Sequence, residues 1–462
     1  MTILNISLEN RSGPKYRAIA AALAEAIEIG RLAPGDRLPT QRDLAWQLGV
    51  TVGTVSRAYA EIERRGLLSG EIGRGTFVRT APPLGDLPLR PRAEKDGIDL
   101  TLNFPAPGSE RHALADALAK AASAPDAGRL LDYQPDTGLP DHRAAGSKWL
   151  ERRGVLVDPE RMIVTAGAQH GIIVSLAALT RPGDKILTER LTYQGIKPAA
   201  AMLGLRLEGV AMDEEGLLPE ALQESIDETD ARVLYCTPTL QNPTTTTMSD
   251  ARKQAIAEIV ARRDVTVIED DIYGILLEPP APLPLATFAP EHTVYVTSLS
   301  KSIAPGLRIG YVAPPARLIE RVGAAVRASC WMAAPLTAEV ATRWITGGQA
   351  NEILQDHRDT AETRRRLAIN KLAGYAFDAP IGSLHAWLHL PEPWRAAQFV
   401  SAAQQQGVAV APAETFAVGR GDIPHAVRIC LGTPRDTATL IRGLDTLVAL
   451  LGDADASLSM IV

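Results

Sequence analysis

The chain has 462 residues, more than the ~100–200 of a single domain, so two or three domains are expected. Hydrophobic residues make up 46% and charged residues 22%, which excludes a largely disordered or fibrous protein. The net charge of −6 is uneven: residues 1–80 carry 11 Lys/Arg against 8 Asp/Glu, and the rest 37 against 46, so a small basic head precedes an acidic body and only the head suits a polyanion. There is no run of ~18 apolar residues and no basic-then-apolar leader, so neither a membrane span nor a secretory signal is expected. Cys236, Cys330 and Cys430 lie too far apart for a metal motif or a disulfide framework, which points to a reducing cytoplasm and no metal.

In chain order, Pro14 suits a first helical turn, and Ile19, Leu23 and Ile27 recur every four residues until Gly30. Thr40, with Asp43 three residues on, is a capping-box-like start for a second helix with Leu44 and Leu48 facing inward, and Gly49 ends it. Thr51 can cap a third helix lined by Val55, Tyr59 and Ile62. Leu67, Leu68 and the glycine-punctuated EIGRGTFV then read as two short strands around a tight turn. Three helices and a β-ribbon make a winged helix-turn-helix; geometry alone also fits a small helical oligomerisation domain.

Residues 81–98 begin APPLGDLPLRPRAEKDG, with four prolines, two glycines and no apolar period, and read as a linker between a domain over 1–80 and a second over 99–462. In the second, RMIVTAG, DKILTE, ARVLYCTP, VTVIEDDIYG and HTVYVTSLSK each look like a buried strand running into a loop, most of them separated by room for a helix. This is an α/β pattern with a mostly parallel sheet, whose ligand sites gather at the carboxyl ends of strands. The strongest cluster is SLSKSIAPGLRIGY. An amine at a strand end, partly desolvated, loses basicity and becomes nucleophilic towards aldehydes, and Arg308, seven residues after Lys301, supplies a guanidinium suited to phosphate. On its own, Ser-x-x-Lys fits a buried structural lysine equally well.

The stretch LPTQRDLAWQLGVTVGTVSRAYAEIERRGLLSGEIGRGTFV resembles the DNA-binding head of GntR-type regulators over about 40 consecutive positions. The resemblance implies that Arg42, Thr51, Thr54, Ser56 and Arg57 face DNA and that Arg74 lies at the wing tip. Val52 stands where the family commonly has arginine; a valine can touch a thymine methyl but cannot make arginine's bidentate contact to guanine. Arg64 and Arg65 read as a solvated helix end.

Residues ~100–440 resemble fold-type I, class I aminotransferases, which bind pyridoxal 5′-phosphate (PLP). YQPDTGLPDHR carries Tyr133, which the resemblance assigns to the phosphate of the neighbouring subunit's cofactor. TAGAQHG supplies Gly167, Ala168 and Gln169 as a phosphate loop, and ERLTYQG supplies Tyr193 to stack on the pyridine ring. TPTLQNPTT places Asn242 on the phenolic oxygen O3′, with Thr245 where the family usually has glycine. VIEDDIYG gives Asp270 for the ring nitrogen and Tyr273 as a second O3′ contact, with Asp271 a neighbouring strand-end acid. Ser298 and Arg308 join the phosphate site, Lys301 is the Schiff-base lysine, and Arg428 in HAVRICLG binds a ligand α-carboxylate. Gln194 and Gly195 follow Tyr193, so the second arginine that some relatives use for an ω-carboxylate is missing there; His170 and His385 read as structural.

Together the halves resemble the MocR/GabR family of bacterial transcription regulators: an α+β winged helix-turn-helix head joined by a linker to an α/β aminotransferase-like domain. What this implies is a cytoplasmic homodimer on double-stranded operator DNA, sensing PLP or an amino compound joined to PLP as an aldimine at Lys301. Every residue of a transamination half-reaction is also present, so an active class I aminotransferase with an accessory head stays open.

Overall fold

A computed structural model describes residues 14–28, 31–32, 36–64, 68–71, 75–78, 97–419 and 422–459. The chain divides into two compact units, 1–87 and 88–462. Residues 81–96 of the expected linker, and Arg65 and Arg74, lie outside the described residues. Ile98, at the linker's end, already pairs in a parallel bridge with Val408.

In the first unit, α1 (Lys15–Glu28), α2 (Gln41–Leu48) and α3 (Val52–Arg64) are followed by β1 (Leu68–Glu71) and β2 (Gly75–Val78), an antiparallel pair. The caps explain the boundaries. The Thr40 hydroxyl accepts the Asp43 N–H at 3.2 Å and donates to the Asp43 carboxylate at 2.7 Å. Gly49 ends α2 in the left-handed region at φ +61, which lets Val50 turn the chain into α3. Thr51 accepts the Thr54 N–H at 3.3 Å. Ile19, Leu23, Leu44, Val55 and Ile62 are fully buried in one core, and the Tyr59 hydroxyl donates to the Pro39 carbonyl at 2.8 Å, fixing the turn before α2 to α3. Arg37 bridges to Phe77, so the segment before α2 also borders the wing. Trp46, on α2, faces solvent.

The second unit is built on a seven-stranded sheet in the order Ile163–Thr165, Gly310–Ala313, Thr293–Ser298, Thr266–Asp270, Val233–Cys236, Lys185–Glu189, Arg206–Val210. Neighbours pair in parallel except around Gly310–Ala313, which is antiparallel to both of its partners. Val/Ile-rich runs buried on both faces suit such a sheet, and five of its seven strands are runs the sequence marks as strands; Gly310–Ala313 and the partly exposed Arg206–Val210 are not among them. Asp270 stands in register with Val296, which brings the carboxyl ends of Thr266–Asp270 and Thr293–Ser298 to the same edge. A smaller antiparallel sheet of Phe377–Asp378, His385–His389, Ala426–Cys430 and Ala411–Pro412 carries Arg428, paired with Trp387.

Two polar positions constrain this unit. Asp271 is sealed in the core, where its carboxylate accepts from Arg153 Nε at 2.9 Å, the Tyr295 hydroxyl at 2.8 Å and the Gly274 N–H at 3.1 Å. It is thus turned to structural partners, as its reading as a neighbouring acid requires. Thr245, where the related loop has glycine, sits at φ +66, a conformation that costs a β-branched residue on the order of 1–3 kcal/mol. Its N–H donates to the Gln241 carbonyl at 2.7 Å and holds it there. Among the described residues no helix is long and apolar enough to cross a membrane, and no His/Cys/Asp/Glu group is placed to hold a metal ion.

Removing one partner of a buried ion pair strands the other charge. Arg153→Ala is therefore expected to cost about 3–5 kcal/mol, read as a lowered urea midpoint at neutral pH.

Candidate functional site

A pocket opens where the carboxyl ends of the parallel strands meet the smaller sheet. Gln169, Tyr193, Asn242, Asp270, Tyr273, Ser298, Lys301, Arg308 and Arg428 all line it. Residues spread over 260 positions of sequence are thus gathered around one cavity, which Ala168 also lines.

One end is built for an anion. Gly167, at φ +85, precedes the helix Ala168–Leu179, whose first residues, Ala168 and Gln169, line the cavity, so that the end rich in unpaired N–H groups faces an anion site. Arg308 bends back at φ +53 and donates from Nη2 to the Ala166 carbonyl at 3.2 Å. A Cβ at residue 167 would lie 2.7 Å from that Nη2, and the φ +85, ψ 171 backbone there is open essentially to glycine alone, which lets arginine and loop approach closely. Gln169 donates to the Gly195 carbonyl at 2.9 Å and accepts from the Tyr193 hydroxyl at 3.0 Å, which fixes the aromatic side chain over the cavity. His170, read as structural, accepts the Ala166 N–H at 3.1 Å and so braces the same loop.

The floor is Asp270. Tyr235, on the adjacent strand, donates to its Oδ2 at 2.8 Å, while Oδ1 is buried without a protein partner. Burial above all pushes this carboxyl up to about 7, with Tyr235 and Lys301 pulling the other way. Opposite, burial brings the Lys301 amine down to about 8, and its Nζ donates to the Asn103 carbonyl. The Tyr273 hydroxyl accepts from Asn103 Nδ2 at 2.9 Å and meets Asn242 Nδ2 at 3.5 Å. Arg428, fully buried, donates to Asn242 Oδ1 and to the Thr101 carbonyl, both at 2.6 Å, lies 4.7 Å from the Phe416 ring and keeps Nε without a partner.

These features match PLP group by group: an unpaired buried carboxylate oxygen for a protonated ring nitrogen, a depressed amine for an aldehyde, a loop-and-arginine cup for a phosphate, and an unsatisfied guanidinium edge for a ligand carboxylate. Tyr133 is not among the residues lining this pocket; it is 81% exposed and packs on Trp331 with ring centroids 5.4 Å apart. Sequence reading missed Tyr235, Asn103 and Thr101. A tyrosine inside the otherwise apolar VLYC strand was a usable signal; the other two act through neighbours far away in sequence.

In the first unit, Arg42, Thr51 and Arg57 are exposed and Thr54 and Ser56 half-buried. Thr51, Thr54 and Arg57 share a groove with Lys15 and Tyr16 from the start of α1, two residues not singled out from the sequence.

Residues 15–78 match the gntR family of bacterial regulatory proteins, and residues 95–444 match aminotransferase class I and II. The HTH-type transcriptional regulator YdeF of Bacillus subtilis is 32% identical over 97% of this chain and 96% of its own length. The pyridoxine biosynthesis regulator PdxR of Corynebacterium glutamicum is 32% identical over 63% of each chain. Among solved structures, Pyrococcus horikoshii kynurenine aminotransferase, crystallised with PMP, superimposes with a TM-score of 0.71 at 25% identity, covering 78% of this chain and 92% of its own. Fold and pocket define a fold-type I, aminotransferase-like domain fused to a GntR-type helix-turn-helix. The chain belongs to the MocR/GabR-type transcription regulators.

The depressed amine has a measurable consequence. In the cofactor-free protein Lys301 binds its proton less tightly when folded (about 8) than when unfolded (10.5), so the unfolded chain holds more protons between those values and stability rises with pH across that window. Lys197, lowered to about 8 by burial, acts in the same direction. The buried Cys236 and Cys430 thiols, pushed up by burial, act the other way, so the expected outcome is a difference: from pH 8 to 10.5 the melting temperature of the wild type gains relative to that of Lys301→Met.

Proposed function

We propose that this regulator binds operator DNA through α3 and the groove it shares with α1, and that its aminotransferase-like domain is the sensor, responding to PLP or to an amino compound that reacts with PLP at Lys301. The observation that carries the reading is one pocket combining Lys301, Asp270, Arg308 and Arg428 in a chain that also has a GntR-type head. A free-standing enzyme has no use for such a head.

The cofactor is PLP, and when bound it supplies an aldehyde and an electron-withdrawing ring. The chain's residues divide the work of holding it. Gly167, Ala168, Gln169, Ser298 and Arg308 take the phosphate; Tyr193 covers the ring; Asp270 keeps the ring nitrogen protonated; Asn242 and Tyr273 hold O3′; and Lys301 presents an amine that is neutral in a larger fraction than a solvated lysine's. Arg428 orients a carboxylate-bearing effector. Tyr133 of the partner subunit completes the phosphate site in a cytoplasmic homodimer, which accounts for a large aromatic side chain left facing solvent. Regulation then requires only that cofactor or effector bind one arrangement of the heads better than another.

The decisive experiment is fluorescence anisotropy on labelled DNA from upstream of the chain's own gene, against a random duplex, with and without PLP. Selective binding that shifts with PLP supports the regulator. Binding equal to random DNA under all conditions would overturn it, and turnover of amino donors and keto acids would then favour the aminotransferase reading. Arg42→Ala is expected to weaken binding and flatten its salt dependence. In the sensor, Lys301→Ala should abolish the visible absorbance of the lysine-bound cofactor, whereas Arg428→Ala should keep that absorbance and lose the response to carboxylate-bearing amino compounds.

A further inference from the structure

In the pocket wall, Asn103 joins His385 in a short polar chain that the proposed cofactor contacts leave unused. His385, fully buried at the start of the His385–His389 strand, has Nε2 3.1 Å from the Pro243 carbonyl and Nδ1 3.0 Å from Asn103 Nδ2. A carbonyl can only accept, so Nε2 carries the hydrogen. Burial, reinforced by the facing Arg428 and Lys301 cations, pushes this imidazole down to about 3 and keeps it neutral, so Nδ1 carries a lone pair. Asn103 can meet that lone pair only with its NH₂ group.

The amide is thereby oriented. One Nδ2 hydrogen goes to His385, the other to the Tyr273 oxygen at 2.9 Å, and Oδ1 is left buried without a protein partner. Asn242 Nδ2, at 3.5 Å, also points its hydrogen at the Tyr273 oxygen. With donors on this side, Tyr273 has its own proton to give, and the pocket is where it can give it. The charged and titratable groups around Tyr273 include Arg428, Asp270, Tyr193 and Cys430, with Lys301 Nζ 5.9 Å and the His385 ring 6.1 Å from its ring centroid.

We infer that His385 and Asn103 are positioning residues: by fixing the direction of the Asn103 amide they aim the Tyr273 proton into the cofactor site, and so set the pH at which the lysine-bound cofactor gains or loses its proton. The inference rests on PLP being held at Lys301 with O3′ beside Tyr273. A hydrogen bond donated into O3′ draws charge from it, so that oxygen stabilises a proton on the adjacent lysine-derived nitrogen less well. Weakening the donated bond therefore moves the midpoint upwards.

The test is a spectroscopic pH titration of the PLP-loaded full-length protein, at saturating PLP with the free-cofactor band subtracted. Asn103→Leu and His385→Leu are each expected to raise the midpoint of the visible band by about one pH unit, the scale of one hydrogen bond. Tyr273→Phe should raise it as well, and Asn103→Leu added to Tyr273→Phe should raise it no further. His385→Gln, which keeps one acceptor and one donor, should restore the wild-type midpoint. A merely structural role would lower thermal stability and leave the midpoint in place. Unchanged midpoints in both leucine variants, or a shift that adds in full to that of Tyr273→Phe, would overturn the inference; if either leucine variant fails to fold, Asn103→Ser is read in its place by the same criteria. A wild-type protein lacking the visible band would overturn the cofactor site at Lys301 itself, before any variant is compared.

Discussion

A carboxylate taken out of water is costly unless something neutralises or solvates it, and the effective cost in proteins is several kcal/mol. Asp270 is such a group, with one oxygen satisfied by Tyr235 and the other by no protein group. The pocket is arranged around that deficit. The parallel sheet delivers Asp270 and Ser298 to one edge, the Lys301 loop follows directly, and the Arg308 guanidinium folds back over Gly167. A cationic nitrogen on a flat ring, with an anion at its far end, satisfies these demands together. Asp271, one residue further on and equally buried, has its own full set of partners and makes no such demand.

Much of this was legible in the sequence, for identifiable reasons. The Thr40–Asp43 and Thr51–Thr54 caps involve residues three apart, so their signal is local and the helix starts could be read directly. The strands that carry Asp270 and Ser298 are short β-branched runs ending in polar residues, a pattern that survives without any tertiary information. Thr245 could be marked as a departure, although only the fold shows that it takes up a left-handed conformation.

What remained hidden depends on pairings between distant segments. Tyr235 meets Asp270 only because their strands are neighbours in the sheet; Arg153 reaches Asp271 across 118 residues and Asn103 reaches His385 across 282. The smaller sheet that carries Arg428 was equally hard to foresee, since two of its four strands are two residues long and offer no period to read. His385, considered by itself, looked like one more buried histidine; its hydrogen-bond polarity becomes informative only beside Pro243 and Asn103.

The solvent-facing Trp46 of α2 also has an optical consequence. Of the six tryptophans it is the only one in residues 1–87, and it is 85% exposed. In the second unit Trp149, Trp344 and Trp387 are buried, Trp394 is half-buried and Trp331 is about half exposed. An aqueous quencher such as iodide therefore reaches mainly Trp46 and Trp331, one indole in each unit. Replacing Trp331 with phenylalanine would leave the DNA-binding unit with the most quencher-accessible fluorophore, so that its surroundings could be followed in unlabelled protein against emission from buried and half-buried indoles.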